Sequence, residues 1–357
     1  MFMIWDSPIA IGNIFIKNRI VFPPITGNWA LVDGSVSEQI LKFYQELAEG
    51  GCGMIIVSGT AVSPEGKATD RSLCIFNKNH LSGLRVLAEK IKTSGCFSSI
   101  QLSHAGGQAN PEFTGYKPVS PSGTTCCATG FDSRKLEKCE IEEIREKFIF
   151  SARLAALAGF HAVELHLAHG YLLHQFLSEY TNKRTDEYGG SIENRLKLVM
   201  EIIAGIKKTV PDLLIGVRVS GEDYIEGGIN KKVNSNILPR LEGYGICYFS
   251  VTAGIYETSR NKHEAMKKGE FFKYSKEVKS MVSKPVIGVG KILNIEAAEE
   301  RLKDNCCDMV AIGRGLMADP MMINKIKNNE EFVRCTECDK CHYLRFGEKN
   351  MNCPLRN

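Results

Sequence analysis

Short β-branched runs ending in glycine, serine or threonine recur eight times along the chain, each followed by a stretch of helical periodicity. The runs are RIVFPPIT (Arg19–Thr26), GMIIVSGT (Gly53–Thr60), SSIQLSHAGG (Ser98–Gly107) and AVELHLAHG (Ala162–Gly170), then LLIGVRVSG (Leu213–Gly221), CYFSVTAG (Cys247–Gly254), KPVIGVG (Lys284–Gly290) and DMVAIGRG (Asp308–Gly315). Between them, stretches such as EEIREKFIFSARLAALAGF and ENRLKLVMEIIAGIKK place apolar residues at i, i+3, i+4 and i+7. Continuously apolar strands alternating with amphipathic helices specify a parallel sheet covered by helices. Eight such units predict an α/β fold of the (β/α)8 TIM-barrel type, not an open doubly wound sheet. No GxGxxG follows an early strand, which argues against a dinucleotide-binding fold. IAIGNIFIKN, near the N-terminus, reads as a hairpin capping the barrel bottom. The stretch from Pro111 to Glu140, rich in Pro, Gly, Ser and Thr, reads as a loop over the mouth. The expected division is a barrel over residues 1–330 and a cysteine-rich tail over 331–357.

Charge excludes some partners. A net charge of +4, set against 45 basic and 41 acidic residues, gives no reason to expect nucleic acid. MFMIWDSPIAIG has neither the basic flank nor the apolar stretch of a signal peptide, and no segment is long and apolar enough for a membrane span. The expectation is a cytoplasmic protein with a small-molecule substrate, assembled as a homo-oligomer. Nine of the 13 cysteines are scattered and read as small buried hydrophobes or free thiols.

Active sites in this fold sit at the C-terminal strand ends. The polar residues there are Thr26, Thr60, Gln101 with His104, His166 with His169, Arg218, Thr252, Gly290, and Gly313 with Arg314. The turns GVGK and IGRG suit a phosphate at the seventh and eighth strands, with Arg314 adding a charge-assisted contact. ELHLAHGYLLH packs His166, His169, Tyr171 and His174 at the end of one strand. A buried imidazole must find a partner, so a core role for one histidine stands beside a catalytic role for the pair. His104 and His174 read as supporting residues. Arg218 inside an apolar strand is costly unless something meets it.

At these residues the chain resembles the old yellow enzyme family of FMN-dependent oxidoreductases. The resemblance runs from about residue 2 to 319 through NRIVFPPIT, QLSHAGGQA, ELHLAHGYLLHQFLSEYTNKRTDEYGGSIENR, VRVS and VAIGRGLMADP. It implies that Pro24 and Thr26 lie against the flavin, that Thr60 and Gln101 meet its polar edge, and that Arg218 sits beside its pyrimidine side. It further implies that Gly288, Gly290, Gly313 and Arg314 hold the phosphate. His166 and His169 would donate to a substrate carbonyl, with Tyr171 as proton donor. The implied activity is that of an NAD(P)H-fed ene-reductase acting on an activated alkene, an α,β-unsaturated carbonyl compound. An oxidative amine dehydrogenase or demethylase is the alternative. Many relatives carry arginine where this chain has Gly107.

The tail, CTECDKCHYLRFGEKNMNC, spaces Cys335, Cys338, Cys341 and Cys353 as C-x2-C-x2-C-x11-C. Clustered cysteines outside an oxidising compartment point to metal. Four thiolates at this spacing suit a [4Fe–4S] cluster, with structural zinc as the alternative. A branch of the same family, with 2,4-dienoyl-CoA reductase and trimethylamine dehydrogenase, carries a four-cysteine motif just after the barrel. Because that branch continues into a further domain, the electron donor expected here is external, either NAD(P)H or a donor protein.

Overall fold

The computed structural model describes residues 3–258, 269–342 and 348–356. An antiparallel hairpin, β1 (Ile9–Ile11) and β2 (Ile14–Ile16), precedes the first barrel strand. The barrel strands are β3 (Ile20–Phe22), β4 (Met54–Ala61), β5 (Phe97–Ser103) and, beyond a short side pair β6 (Val119–Ser120) and β7 (Arg134–Lys135), β8 (Ala162–Leu167). They continue with β9 (Leu214–Ser220), β10 (Tyr248–Thr252), β11 (Val286–Gly288) and β12 (Met309–Ala311). All eight pair in parallel and close on themselves, β12 returning to β3. Each of the eight apolar runs supplies one strand, so the TIM-barrel expectation holds.

The covering helices follow the periodicity. All but the last two residues of EEIREKFIFSARLAALAGF lie in the helix Lys138–Ala158, which stops at Gly159 with φ 90°. ENRLKLVMEIIAGIKK lies in Ile192–Thr209, opened by Ser191, whose side chain accepts from Asn194 N.

Strand alternation sorts the barrel interior into layers. At the bottom, Ile11 and Ile16 of the hairpin are fully buried against Val21, Met54, Phe97 and Met309. The hairpin is a plug of about two large aliphatic side chains, each worth roughly 1.5–3 kcal/mol of burial. Above it, the Tyr248 ring lies across Gly216, its register partner in β9, and its hydroxyl bonds Ser99 Oγ at 2.9 Å. A Cβ on Gly216 would fall inside that ring, so glycine is required for the close approach. Higher still the interior turns polar, with Gln101, Glu164, Arg218 and Ser250 all buried.

The segment Pro111–Glu140 is more ordered than a plain loop. It holds the helical turn Pro111–Thr114 and the β6–β7 pair, and the helix Lys138–Ala158 begins within its last residues. Arg184, from the charged NKRTDEYGG stretch, fastens it by donating to Pro121 O at 2.7 Å and Leu136 O at 2.6 Å while pairing with Asp186. No helix among the described residues is long and apolar enough to cross a membrane.

Candidate active site

Strand β8 delivers the centre of the site. After its last residue, Leu167, the chain turns sharply at His169, which holds φ 61°, and Gly170, φ 77°. His169 belongs to the residue types that tolerate the left-handed region better than most, yet holding it there still costs free energy. The surroundings fix it: Nδ1 lies 3.2 Å from His166 Nε2, Nε2 lies 3.1 Å from Thr252 Oγ1, and the backbone bridges to Ile255. Tyr171 packs edge-on against His166 with ring centroids 4.8 Å apart, and its hydroxyl shares a 2.8 Å hydrogen bond with that of Tyr256. Burial, then His169 and Arg218, hold the His166 imidazole well below its ordinary range, so it is neutral near pH 7.

The expected cofactor residues surround the same mouth. Pro24 and Thr26 follow β3 and are half-exposed. A register irregularity between Val57 and Thr60 bends the end of β4. A Cβ on Gly59 would lie 3.3 Å from Gln101 Oε1 and 3.7 Å from Thr26 Oγ1, so those two side chains converge over a glycine. Thr60 belongs to the same strand end. It is fully buried, and its hydroxyl donates to Ser58 O at 2.8 Å within its own strand. A threonine hydroxyl can satisfy itself locally in this way on a neighbouring backbone carbonyl.

Arg218, 7% exposed, donates from Nη1 to Ser250 Oγ at 3.1 Å, while its Nε has no partner. Gln101 donates from Nε2 to Glu164 Oε1 at 2.7 Å. Glu164 Oε2 and His166 Nδ1 are also buried without a partner. Such unmatched polar atoms cost free energy unless a ligand meets them, and a ring of them at a barrel mouth fits the polar edge of a flavin.

Gly288 ends β11, and Gly290 follows with φ 144°. Gly313 precedes the helical turn Arg314–Ala318. Arg314 meets the tail: Nη1 donates to Asp339 Oδ1 at 2.8 Å, with Glu337 at 3.7 Å.

The tail is folded back on the barrel. Burial raises the Cys335 and Cys341 thiols, Arg314 pulls both down, and Cys335 also senses the charge of Cys353. Cys338 is exposed. Among the described residues, no three or more His, Cys, Asp or Glu side chains gather closely enough to hold a metal ion. Residues 343–347, inside the last cysteine interval, lie outside the described residues.

Beside the Tyr171 turn is a cavity of about 210 Å³, lined by Gln108, Cys126, Gly170, His174, Tyr180 and Glu257 among others. His174 is tied to the buried Asp223 carboxylate at 3.0 Å, and His104 accepts from Gly106 N at 3.0 Å. Two participants escaped the sequence reading. Tyr256 carries no local signal, because only the fold brings it to Tyr171. Glu164 did carry one: a carboxylate inside an apolar strand is the same anomaly that singled out Arg218.

The model of the NADH:flavin oxidoreductase / NADH oxidase family matches residues 6–332. This chain belongs to that family. An NADH oxidase of Thermoanaerobacter brockii is 40% identical over 336 residues, covering 92% of this chain and 52% of that protein. An NADPH dehydrogenase of Clostridium acetobutylicum is 36% identical, covering 88% of this chain and 91% of its own length. A solved 2-naphthoyl-CoA reductase, in complex with 2-naphthoyl-CoA, superposes on 99% of this chain at a TM-score of 0.92 and 28% identity, over 56% of that chain. The chain thus spans about half the length of two of these three proteins.

Proposed function

We propose that this chain is an FMN-dependent NAD(P)H oxidoreductase that reduces the C=C bond of α,β-unsaturated carbonyl compounds. The observation that carries this reading is the packing of His166 against both His169 and Tyr171 at one strand end, beside Arg218 and Gln101. When bound, the flavin supplies the hydride chemistry, and the protein supplies position and polarisation. Pro24, Thr26, Thr60, Gln101 and Arg218 would face the ring. Gly288, Gly290 and Gly313 would take the phosphate, with Arg314 exchanging its tail acids for it.

A substrate oxygen reaching both imidazoles would take the place of their mutual 3.2 Å contact. N–H donors at that point oppose the negative charge that develops on the oxygen. The Tyr171 hydroxyl, oriented by Tyr256, would protonate the α carbon.

The test is stopped-flow kinetics of both half-reactions. Tyr171→Phe slows alkene reduction by about 100-fold or more, while the NAD(P)H half-reaction keeps its rate. Unchanged alkene reduction would remove Tyr171 from the role. Bleaching of the flavin by amines, without alkene turnover, would instead favour the amine dehydrogenase reading.

We infer further that Cys335, Cys338, Cys341 and Cys353 hold a [4Fe–4S] cluster. Their spacing supports this, as does the electrostatic coupling of Cys335 to Cys353 and of Cys341 to Cys335. Protein purified without oxygen should carry about four irons per chain with matching sulfide. Zinc instead would make the tail a structural site and leave NAD(P)H as the flavin's reductant.

A further inference from the structure

Glu164 has no part in the chemistry described above, yet it sits at the centre of the polar layer. The registers place it beside Gln101 on one side and Gly216 on the other, two register pairs below His166 and Arg218. It is 0% exposed, so its carboxyl has no water to fall back on. One oxygen is occupied by Gln101 Nε2 and the other has no partner. The charged and titratable groups facing it are Arg218 from β9 and Tyr248 from β10, with His166 next along its own strand.

This placement has two consequences. The bond to Glu164 uses one N–H of the Gln101 amide and thereby turns Gln101 Oε1 toward Gly59 and Thr26. A buried guanidinium also needs a counter-charge, and Glu164 is the carboxylate that Arg218 senses. Two buried opposite charges form a balanced pair. Once a third charge, a negative one, engages Arg218, the pair plus that charge is left with a net negative charge in a dry site. The cheapest relief is a proton on the carboxylate.

We propose that Glu164 is a positioning residue for the flavin's pyrimidine edge: it orients the Gln101 amide, balances Arg218, and takes up a proton from solvent when negative charge is brought against Arg218. The proposal rests on the flavin reading above. Its own first requirement, that the Glu164 carboxyl titrates near neutral pH, is a property of the protein alone: the carboxyl is 0% exposed, and burial raises it to about 7.

The test has three arms. Fluorescence quenching by FMN on wild-type apoprotein decides the flavin reading by itself, since no binding sinks that reading whatever Glu164 does. Infrared titration of the apoprotein then follows the protonated-carboxyl band. A band that disappears with a midpoint near 7 in wild type and is missing in Glu164→Gln supports the proposal, and a wild-type carboxyl ionised throughout overturns it. Finally, the flavin midpoint potential is followed with pH in wild type, Glu164→Gln and Glu164→Leu. Wild type takes up one more proton per two electrons above pH 7 than Glu164→Gln does. Glu164→Leu, which loses the Gln101 bond as well, binds FMN roughly tenfold more weakly or worse, whereas Glu164→Gln can keep that bond through its amide oxygen. Equal proton counts in wild type and Glu164→Gln overturn the proton role, and unchanged affinity in Glu164→Leu overturns the positioning role.

Discussion

Glu164 and His169 show at the residue scale how this barrel holds unfavourable local states at its mouth. Burial raises the Glu164 carboxyl from its ordinary 4.5 to about 7, so the native state binds the proton more tightly than the unfolded chain does. Wild-type stability therefore falls as pH rises from about 4.5 to about 7 and levels off above, by on the order of 3 kcal/mol. Glutamine at 164 has no such slope. Melting of the apoprotein from pH 5 to 8 should show the Glu164→Gln variant gaining on wild type across that window, and parallel curves would contradict the buried, raised carboxyl. His169 makes a separate prediction. With φ at 61°, asparagine there should cost about 1 kcal/mol less stability than alanine, because asparagine visits the left-handed region more readily. Chemical denaturation of the two variants checks it. At this scale the sequence disclosed residue types but not partners. His166, His169, Tyr171 and Arg218 were legible as anomalies in apolar surroundings. Nothing local could show that Thr60 would turn its hydroxyl onto Ser58 or that Arg314 would meet Asp339.

Elements were more legible than contacts, because the apolar period and the glycine stops act over ten or more neighbouring residues at once. All eight strand runs and the two quoted helices read correctly for that reason. The β6–β7 pair did not, since two residues bonding to two others 15 positions away leave no period to detect. The inner layers likewise depend on register. Gly216 lies under the Tyr248 ring because β9 and β10 pair those two residues directly, a fact absent from either strand's own sequence. Gly216→Ala should therefore destabilise the barrel by about 1–3 kcal/mol or more, read as a lower urea midpoint at unchanged slope. If alanine were tolerated without loss, the ring would not be as tightly seated as the register places it.

Across the whole molecule, the tail is joined to the site through the segment that follows β3. That segment carries Pro24 and Thr26 into the mouth and then runs directly beneath the returning tail. Gly27 O accepts from Met351 N at 3.0 Å, Trp29 Nε1 donates to Met351 O at 2.8 Å, and Asn28 Nδ2 donates to Lys349 O at 2.7 Å. Met351 itself is 3% exposed, and Arg356 pairs with Glu46 on the helix Glu38–Glu49. None of these contacts involves a cysteine. The tail therefore has a mechanical claim on the site that is independent of any metal it holds. Met351→Ala removes a buried apolar side chain that anchors the returning tail in the main core and should cost about 2–4 kcal/mol of stability. It should also weaken FMN binding severalfold, because Pro24 and Thr26 lose their support. Cys338→Ser touches none of these contacts and leaves the support in place. Measuring FMN affinity in both variants separates the two connections. A loss confined to Met351→Ala makes the tail a brace for the first strand's loop. A loss confined to Cys338→Ser would mean instead that the tail reaches the flavin through its thiols alone.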